Sequence, residues 1–291
     1  MSNPNPKNLI LWTFRRNEND VVNLYNYLSL LMQISTEGNF LNFGYWDKNT
    51  INPFSAQINL CKKVGNIAEL TDAKHALDIG SGFSAPAFTW IRDYPQIEIT
   101  CLNINMNQLR FVSRVVTQNQ ITQNSKNLPN LINSTATTIP IATDSCDRII
   151  SLESAQHFKP IRNFILETKR ILKKDGLLVL AIPILSRPSI IDILKLGILK
   201  FTWSSEHYDF ERIQNTIRSA DLKIIETEFI GTNVYVPLAE YYIQNRELIK
   251  KRILAKYPGY VEEILFRSML KMKDVSSKGI IDYVLMKCSK I

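Results

Sequence analysis

The chain has 291 residues, of which 45% are hydrophobic, and a formal net charge of +8. This length and apolar content suffice for a sizeable core, in one large domain or two small ones. The four cysteines stand far apart and the three histidines form no metal-spaced cluster, so neither a disulfide framework nor a metal site is expected. We expect a cytoplasmic protein, because the polar N-terminus lacks the apolar core of a signal peptide.

The excess of basic residues is compatible with an RNA, membrane-surface or acidic partner. No basic block with interleaved aromatic residues occurs, so a lysine-rich, solubilising surface is the simpler interpretation and nucleic acid is not an expected partner. The apolar segment at 190–201 is interrupted by Asp192, Lys195 and Lys200 and is too short to span a bilayer. Peripheral membrane contact and the oligomeric state stay open.

Hydrophobic periodicity predicts alternating helices and strands in the first half of the chain. In order, the predicted elements are a helix (20–34), an aromatic loop (42–46), a helix (55–70), a strand from residue 76 into a glycine turn, a helix (83–93), a strand (97–102), a helix (106–117) and a polar loop (118–129).

The second half continues this alternation up to residue 183 and then loosens. The predicted elements are a strand (148–152), a helix (160–172), a turn (173–176), an apolar strand (177–182), a helix (210–220), a strand (222–230), a long helical stretch (238–272) broken near 258–259, and a closing strand (280–288). Strands that alternate with helices predict a parallel sheet covered on both faces.

The glycine turn that follows the first strand is typical of nucleotide-binding corners. Gly80 and Gly82 allow a ligand to approach the main chain closely, and Asp78 places a carboxylate beside them. That carboxylate favours a ligand with a positive or hydrogen-donating group. A nicotinamide cofactor is the rival ligand, but Asn103 stands where dinucleotide proteins carry an acidic residue for the ribose.

Six parts of the chain follow one another in the order and spacing of a known family. They are Asn42-Phe43-Gly44-Tyr45-Trp46, Leu77-Asp78-Ile79-Gly80-Ser81-Gly82, Asn103-Ile104-Asn105-Met106-Asn107-Gln108, Ile139-Pro140-Ile141 with Asp144-Ser145-Cys146-Asp147, Leu152-Glu153-Ser154-Ala155-Gln156-His157-Phe158, and Arg170-Ile171-Leu172-Lys173-Lys174-Asp175-Gly176. Together they resemble the class I S-adenosylmethionine (SAM)-dependent methyltransferases. More narrowly, they are similar to the small-molecule branch with the tocopherol, sterol, sarcosine/dimethylglycine and macrolide or rebeccamycin sugar O-methyltransferases.

The resemblance covers residues 20–185 well and the remainder by layout only. It implies an α/β fold, with a Rossmann-like, seven-stranded, mostly parallel sheet of the SAM-methyltransferase type and a helical cap. We expect a single methyltransferase domain over 1–291. Its parts would be N-terminal helices with the aromatic loop (1–70), a SAM-binding core (71–183), and the remaining strands with a substrate cap (184–291).

The resemblance further implies SAM as the cofactor. Its expected binding residues are Tyr45, Asp78, Gly80, Ser81, Gly82, Asn103, Asn105, Gln108, Thr135, Ala136 and Leu152. Asp78 and the glycine turn would hold the methionine end, Asn103 the ribose, and the pair Thr135-Ala136 would face adenine. Ser84 replaces the third glycine of the family turn and is expected to narrow the pocket. Tyr45 and Trp46 either pack in the core or form an aromatic lid.

The expected catalytic residues are His157 and Glu153. Histidine titrates near neutrality and suits a general base that takes a proton from a substrate hydroxyl, while Glu153 would orient the substrate or the methionine ammonium. Methyl transfer depends mainly on positioning and exclusion of water. His75 and His207 match no motif and are interpreted as structural.

We therefore predict methyl transfer from SAM to a small, apolar molecule, with oxygen the favoured acceptor atom and carbon or nitrogen open. Ser151-Leu152-Glu153-Ser154 replaces the Asn/Asp-Pro-Pro-Tyr/Phe motif of exocyclic-amine methyltransferases, which argues against a flipped base as substrate. The alternatives are a lipid-modifying enzyme like the cyclopropane synthases and a catalytically silent binding scaffold.

Overall fold

The computed structural model describes residues 13–14, 16–123, 128–186, 190–202 and 208–290. The described helices are α1 (Glu18–Thr36), α2 (Pro53–Ile67), α3 (Ala85–Asp93), α4 (Met106–Gln123), α5 (Ile161–Ile171), α6 (Ile190–Lys195), α7 (Leu199–Thr202), α8 (Phe210–Arg218), α9 (Tyr235–Gln244), α10 (Arg246–Leu254) and α11 (Gly259–Ser277). The described strands are β1 (His75–Ile79), β2 (Glu98–Asn103), β3 (Asn130–Asn133), β4 (Cys146–Leu152), β5 (Leu172–Leu185), β6 (Leu222–Phe229) and β7 (Ile281–Lys290).

The seven strands form one sheet in the order β3-β2-β1-β4-β5-β7-β6. Strands β1 to β5 pair in parallel, and β7 runs antiparallel to both neighbours. The predicted mostly parallel, seven-stranded sheet is therefore confirmed. Because parallel strands end at the same edge, the turns that follow β1, β2 and β4 lie side by side.

Two apolar layers cover the sheet, because successive side chains of a strand point to opposite faces. Ala76 of β1 packs with α2 and α3 on one face, whereas Leu77 and Ile79 pack with α5 and α8 on the other. A third cluster joins α1 to α9, α10 and α11. This last cluster builds the cap that the sequence predicts.

Local signals explain where α2 begins and where the turn into α3 forms. The Asn52 side chain accepts the Ser55 N–H at 2.8 Å in a capping box, and Pro53 stands in the first turn of α2, where no intrahelical N–H is needed. Before α3, Ser84 adopts φ +55°, a left-handed conformation that non-glycine residues rarely take.

Four boundaries differ from the sequence prediction. Helix α4 extends to Gln123 into the predicted polar loop, and the edge strand β3 was not predicted because its four residues carry little apolar pattern. Strand β5 includes residues 173–176, predicted as a turn, and its register with β4 shifts there. The stretch 238–272 contains a second break at Asn245, between α9 and α10.

No helix in the described ranges is long and apolar enough to cross a membrane.

Candidate functional site

A small cavity of about 90 Å³ lies at the turns that follow β1, β2 and β4. We call it the cofactor-side cavity. Of the residues predicted to bind SAM or to catalyse, nine line it. Eight of them are Asp78, Gly80, Ser81, Gly82, Asn103, Gln108, Leu152 and Glu153. The ninth is His157, the predicted base. The sequence motifs thus converge here because they end parallel strands at one edge.

Asp78 points a buried carboxyl group into this cavity. Its side chain is 2% exposed, and its Oδ2 atom makes no hydrogen bond. Burial raises the pKa of Asp78 to about 7. A carboxylate without a protein partner is costly to bury, so this position suits a ligand that brings its own cation or donor.

Gly80 and Gly82 both adopt left-handed conformations, with φ +77° and +56°. A Cβ at Gly80 would lie 2.3 Å from the Ser154 Cβ, so this glycine is required by protein packing. A Cβ at Gly82 would meet only Leu41, at 3.1 Å, so this glycine borders the cavity. The motif predicted that both glycines admit the ligand. In the structure Gly80 is needed for packing against Ser154, and Gly82 leaves space at the cavity.

Ser84 does not narrow the cavity as expected. It is fully buried, it is absent from the residues that line the cavity, and its Oγ lies 3.3 Å from the Ser81 Oγ. The left-handed backbone of Ser84 shows instead why families of this type place glycine here.

The Asn103 amide already makes three hydrogen bonds within the protein. Its Nδ2 donates to the Gly82 carbonyl at 3.1 Å and to Gln108 Oε1 at 2.8 Å, and its Oδ1 accepts the Asn105 N–H at 3.1 Å. Gln108 Nε2 in turn donates to Ser29 Oγ on α1 at 3.0 Å. Helix α1 therefore occupies the Gln108 amide, a polar group that a ribose would need.

Asn105 does not line the cavity. Its Oδ1 accepts the Asn107 and Gln108 N–H groups at the start of α4, and its Nδ2 donates to Asn26 Oδ1 on α1 at 3.0 Å. The structure thus gives Asn105 a helix-capping position, with a link to α1, away from the predicted cofactor contact.

Three other predicted cofactor residues also lie outside the cavity: Tyr45, Thr135 and Ala136. The Tyr45 N–H donates to the Ala56 carbonyl at 2.8 Å and its ring packs beneath Lys63, because the loop turns at Gly44 against α2. Tyr45 is half-buried, whereas Trp46 is buried and its ring lies against Tyr241.

Thr135 and Ala136, expected to face adenine, both make contacts within the protein. Ala136 is buried in the layer that contains α5, and the Thr135 hydroxyl donates to the Glu18 carboxylate at the start of α1. His207 lies outside the described residues. The described ranges contain no cluster of His, Cys, Asp and Glu that could hold a metal ion.

His157 contacts α1 through a tyrosine. Its Nε2 lies 2.9 Å from the Tyr25 hydroxyl, and the two rings meet edge to face with centroids 5.4 Å apart. His157 lines only the cofactor-side cavity, whereas Tyr25 lines this cavity and a second one. The histidine therefore reaches the second space through the tyrosine hydroxyl.

The second cavity, which we call the acceptor cavity, has a volume of about 530 Å³. Its wall is largely apolar and comes from α1, α7, α9, α10 and α11, with Leu28, Met32, Phe201, Leu265 and Met269 as examples. Among its described lining residues there is no lysine, arginine or histidine, and Glu153 is the sole carboxylate. The cavity suits an apolar ligand without an anionic group.

Four residues line both cavities and mark their junction: Tyr25, Leu41, Asn42 and Glu153. Two amide oxygens nearby are buried without a donor, Asn42 Oδ1 and Gln156 Oε1. Gln156 is held because its Nε2 donates to the Glu153 carbonyl at 2.7 Å. The junction therefore offers hydrogen-bond acceptors to a ligand that donates.

Glu153 is the second carboxyl group at this edge and is half-buried. Its backbone adopts φ +52°, and its Oε1 accepts the Phe43 N–H at 2.8 Å. Burial raises the pKa of Glu153 to about 8, although the Phe43 bond acts in the opposite direction.

Sequence reasoning missed Tyr25, Asn42, Gln156 and the cap residues as site residues. Tyr25 lies within the predicted helix 20–34, but helical spacing does not tell which side chains meet a distant strand edge. Asn42 and Gln156 stand inside segments that carry the resemblance. Their position in these segments was the sequence signal that could have identified them as site residues.

Two features of the cofactor-side cavity match chemical groups of SAM. Asp78 Oδ2 is a buried oxygen without a donor, which suits the methionine ammonium, and the open side of Gly82 leaves room for close approach to the backbone. The residues therefore fit SAM, although the volume of about 90 Å³ is small for a ligand site.

Comparison with known proteins agrees with this geometry. Residues 77–180 match the sequence family described as "Methyltransferase domain". The chain is 24% identical over 248 residues to the erythromycin 3''-O-methyltransferase of Saccharopolyspora erythraea, covering 80% of this chain and 78% of that protein.

Two solved structures show the same fold. The cyclopropane synthase MmaA2 from Mycobacterium tuberculosis superposes with a TM-score of 0.77 at 14% identity, covering 91% of this chain and 95% of that one. The mycolic acid cyclopropane synthase CmaA1, complexed with SAH and CTAB, gives 0.75 at 15% identity and covers 99% of both chains. The domain match and the relative identify a SAM-dependent methyltransferase with SAM as its methyl donor, and the two solved structures show that the fold is shared.

Proposed function

We propose that this methyltransferase acts on a hydroxyl oxygen of a small, largely apolar molecule. The observation that carries the proposal is the apolar acceptor cavity of about 530 Å³, which meets the cofactor-side cavity at Tyr25, Leu41, Asn42 and Glu153. An acceptor in this cavity can present one atom at the junction while its apolar body is shielded from water.

The unpaired amide oxygens favour an acceptor that donates a hydrogen bond. Asn42 Oδ1 and Gln156 Oε1 are both buried without a donor, and both residues line the acceptor cavity. A hydroxyl can donate to one of them and so satisfy an oxygen that is otherwise costly to bury. This supports oxygen over carbon as the methylated atom.

The cofactor residues keep the roles that the resemblance implies where they line the cavity. When bound, SAM supplies an activated methyl group on a sulfonium centre. Asp78 would pair with the methionine ammonium, Gly82 would admit the ligand to the backbone, and Asn103 with Gln108 would bind the ribose. Because Ser29 holds Gln108 and the cavity is small, α1 has to shift outward to admit the cofactor.

The Tyr25–His157 pair provides a path for the hydroxyl proton. Tyr25 lines the acceptor cavity, and its hydroxyl lies 2.9 Å from His157 Nε2. Tyr25 would accept the proton from the substrate and pass its own proton to His157, which acts as the base. This accounts for a histidine that does not itself line the acceptor cavity.

A lipid substrate is the second candidate, because an apolar cavity without a basic lining residue also suits an acyl chain. Both reactions can be followed with SAM whose methyl group carries three deuterium atoms, incubated with organic extracts and analysed by mass spectrometry. We expect a small product that retains all three deuterium atoms and becomes resistant to acylation of its hydroxyl.

Retention of only two deuterium atoms would indicate methylene transfer to a lipid instead. Binding of SAM with no labelled product in any extract would favour the catalytically silent scaffold and contradict the proposal. A Gly82→Val variant provides the control, since its side chain would enter the cofactor-side cavity.

A further inference from the structure

The junction between the two cavities fixes where the reacting sulfur must lie. A methyl group passes from cofactor to acceptor only where the two cavities meet, and the shared residues are Tyr25, Leu41, Asn42 and Glu153. Glu153 is the only acidic or basic residue among these four. A sulfonium at the junction therefore faces one carboxyl group and the ring of Tyr25.

The protein holds Glu153 at this place through a strained backbone. Its φ of +52° belongs to a region that a glutamate rarely adopts. Three hydrogen bonds fix this conformation: the Glu153 N–H donates to the Ala181 carbonyl, the Glu153 carbonyl accepts from Gln156, and the carboxylate accepts from the Phe43 N–H. Backbone strain that persists at a ligand cavity points to a task for the side chain.

The described lining of the cofactor-side cavity supplies no permanent counter-charge for Glu153. No lysine or arginine occurs among the described residues that line the cofactor-side cavity. The titratable groups that face Glu153 are Asp78 on β1, Cys61 on α2 and Tyr283 on β7, together with Tyr25 and His157 in the same cavity wall. Apart from a protonated His157, a positive charge that stabilises the carboxylate has to come from the ligand.

We propose that Glu153 distinguishes SAM from its demethylated product S-adenosylhomocysteine (SAH), by serving as the counter-charge of the sulfonium. This inference rests on the proposed function, which places the sulfur at the junction. After the methyl group has left, the sulfur is neutral, and the carboxylate has lost its counter-charge but keeps the hydrogen bond from the Phe43 N–H. SAH is then held less tightly than SAM, which favours its exchange for a new cofactor.

The test is calorimetric titration of the full chain with SAM, SAH and sinefungin, in which an amine replaces the sulfonium methyl. We expect the wild-type chain at pH 8 to bind SAM about tenfold more tightly than SAH, or more. Glu153→Gln keeps an acceptor for the Phe43 N–H but removes the charge. This variant should bind SAM and SAH within about twofold of each other, with SAH affinity unchanged or increased.

A matched control is Glu167→Gln. Glu167 also accepts a backbone N–H, from Ile139 at 2.7 Å, but it lies outside both cavities. The control variant should keep the wild-type preference for SAM. Sinefungin should follow SAM rather than SAH, because its amine carries a positive charge.

The wild-type chain alone provides a second test, which does not depend on a variant that folds. Since burial raises the pKa of Glu153 to about 8, SAM binding near neutrality must release its proton, and SAH binding must not. The ratio of SAM to SAH affinity should therefore rise with pH up to about 8 and then level off. Asp78 cancels from this ratio, because both ligands carry the same ammonium.

Two results would overturn the inference: an affinity ratio that does not change with pH, or a ratio in Glu153→Gln equal to that of the wild type. A wild-type chain that binds neither SAM nor SAH would contradict the cofactor assignment itself. The failure of the inference and the failure of the proposed function are thus distinguishable.

Discussion

The cofactor-side cavity rests on strand ends and tight turns, whereas the acceptor cavity is enclosed mainly by the helices of the cap. The first is lined by residues that β1, β2 and β4 place at one sheet edge. The second takes its wall from α1, α7 and α9 to α11. Main-chain hydrogen bonds fix the first region, while apolar side-chain packing, which tolerates exchange, shapes the second. The chain thus couples a constrained donor site to an adaptable acceptor site.

Substitutions of the two glycines should separate stability of the fold from cofactor binding, and we expect the largest effect here. Gly80→Ala adds a Cβ 2.3 Å from the Ser154 Cβ at φ +77°, so we expect a loss of about 2–4 kcal/mol in the free energy of unfolding. Gly82→Ala should cost only about 1 kcal/mol and weaken SAM binding. Denaturant unfolding and calorimetry measure the two quantities. Equal destabilisation by both substitutions would contradict the separation.

Substitutions of Tyr25 and His157 test whether a proton passes from the acceptor cavity to the cofactor-side cavity. We expect His157→Ala and Tyr25→Phe each to lower kcat by about 10²–10⁴-fold, since either change interrupts the proton path, with SAM affinity little changed. The wild-type rate should fall at acidic pH, where a protonated imidazole accepts no proton. Tyr94→Phe, which removes a hydroxyl bonded to Asn66 away from the cavities, is the control. A Tyr25→Phe variant with full kcat would exclude the relay.

Asp78 separates the two cavities further, because its carboxyl group lines the cofactor-side cavity and not the acceptor cavity. Burial raises the folded-state pKa of this carboxyl from 3.8 to about 7, so between these values the folded chain binds more protons than the unfolded chain. The free energy of unfolding without ligand should therefore fall as pH rises from about 4 to 7. Asp78→Asn should reduce this loss and weaken SAM binding about 10- to 100-fold. Thermal unfolding across this pH range checks the sign, and a stability that rises with pH would contradict it.

The smallest effect is expected in the cap. Met269→Trp places a larger side chain in the wall of the acceptor cavity, and we expect about a tenfold rise in KM for the acceptor with unchanged SAM affinity. Leu270→Trp is the matched control, because the neighbouring Leu270 is 44% exposed and lines neither cavity. A change in SAM affinity in Met269→Trp would show that the two cavities are not independent.

The sequence predicted the donor edge better than the cap, for a physical reason. Asp78, Gly80, Gly82, Asn103 and Glu153 end or follow strands whose apolar pattern is strong, so their convergence follows from parallel pairing. The cap depends on how amphipathic helices pack against each other, which spacing alone does not specify.

Tyr45 and Thr135 show a second limit of the sequence prediction. Tyr45 lies in a segment that carries the resemblance, and Thr135 stands where the resemblance implies a residue facing adenine. The Tyr45 ring packs beneath Lys63, however, and the Thr135 hydroxyl bonds Glu18. A motif identifies a loop, whereas local turns such as that at Gly44 decide which of its side chains reach the ligand. The single-domain division and the cytoplasmic location stay predictions.

The most direct test of the central claim is a crystal structure of the chain with SAH. We predict that its amino group lies against Asp78, and that its sulfur lies at the junction, within about 4–6 Å of the Glu153 carboxyl group, where charges interact strongly. We also predict an outward shift of α1 that releases Gln108 from Ser29. A sulfur atom remote from Tyr25, Leu41, Asn42 and Glu153, with the acceptor cavity closed off from it, would contradict the account.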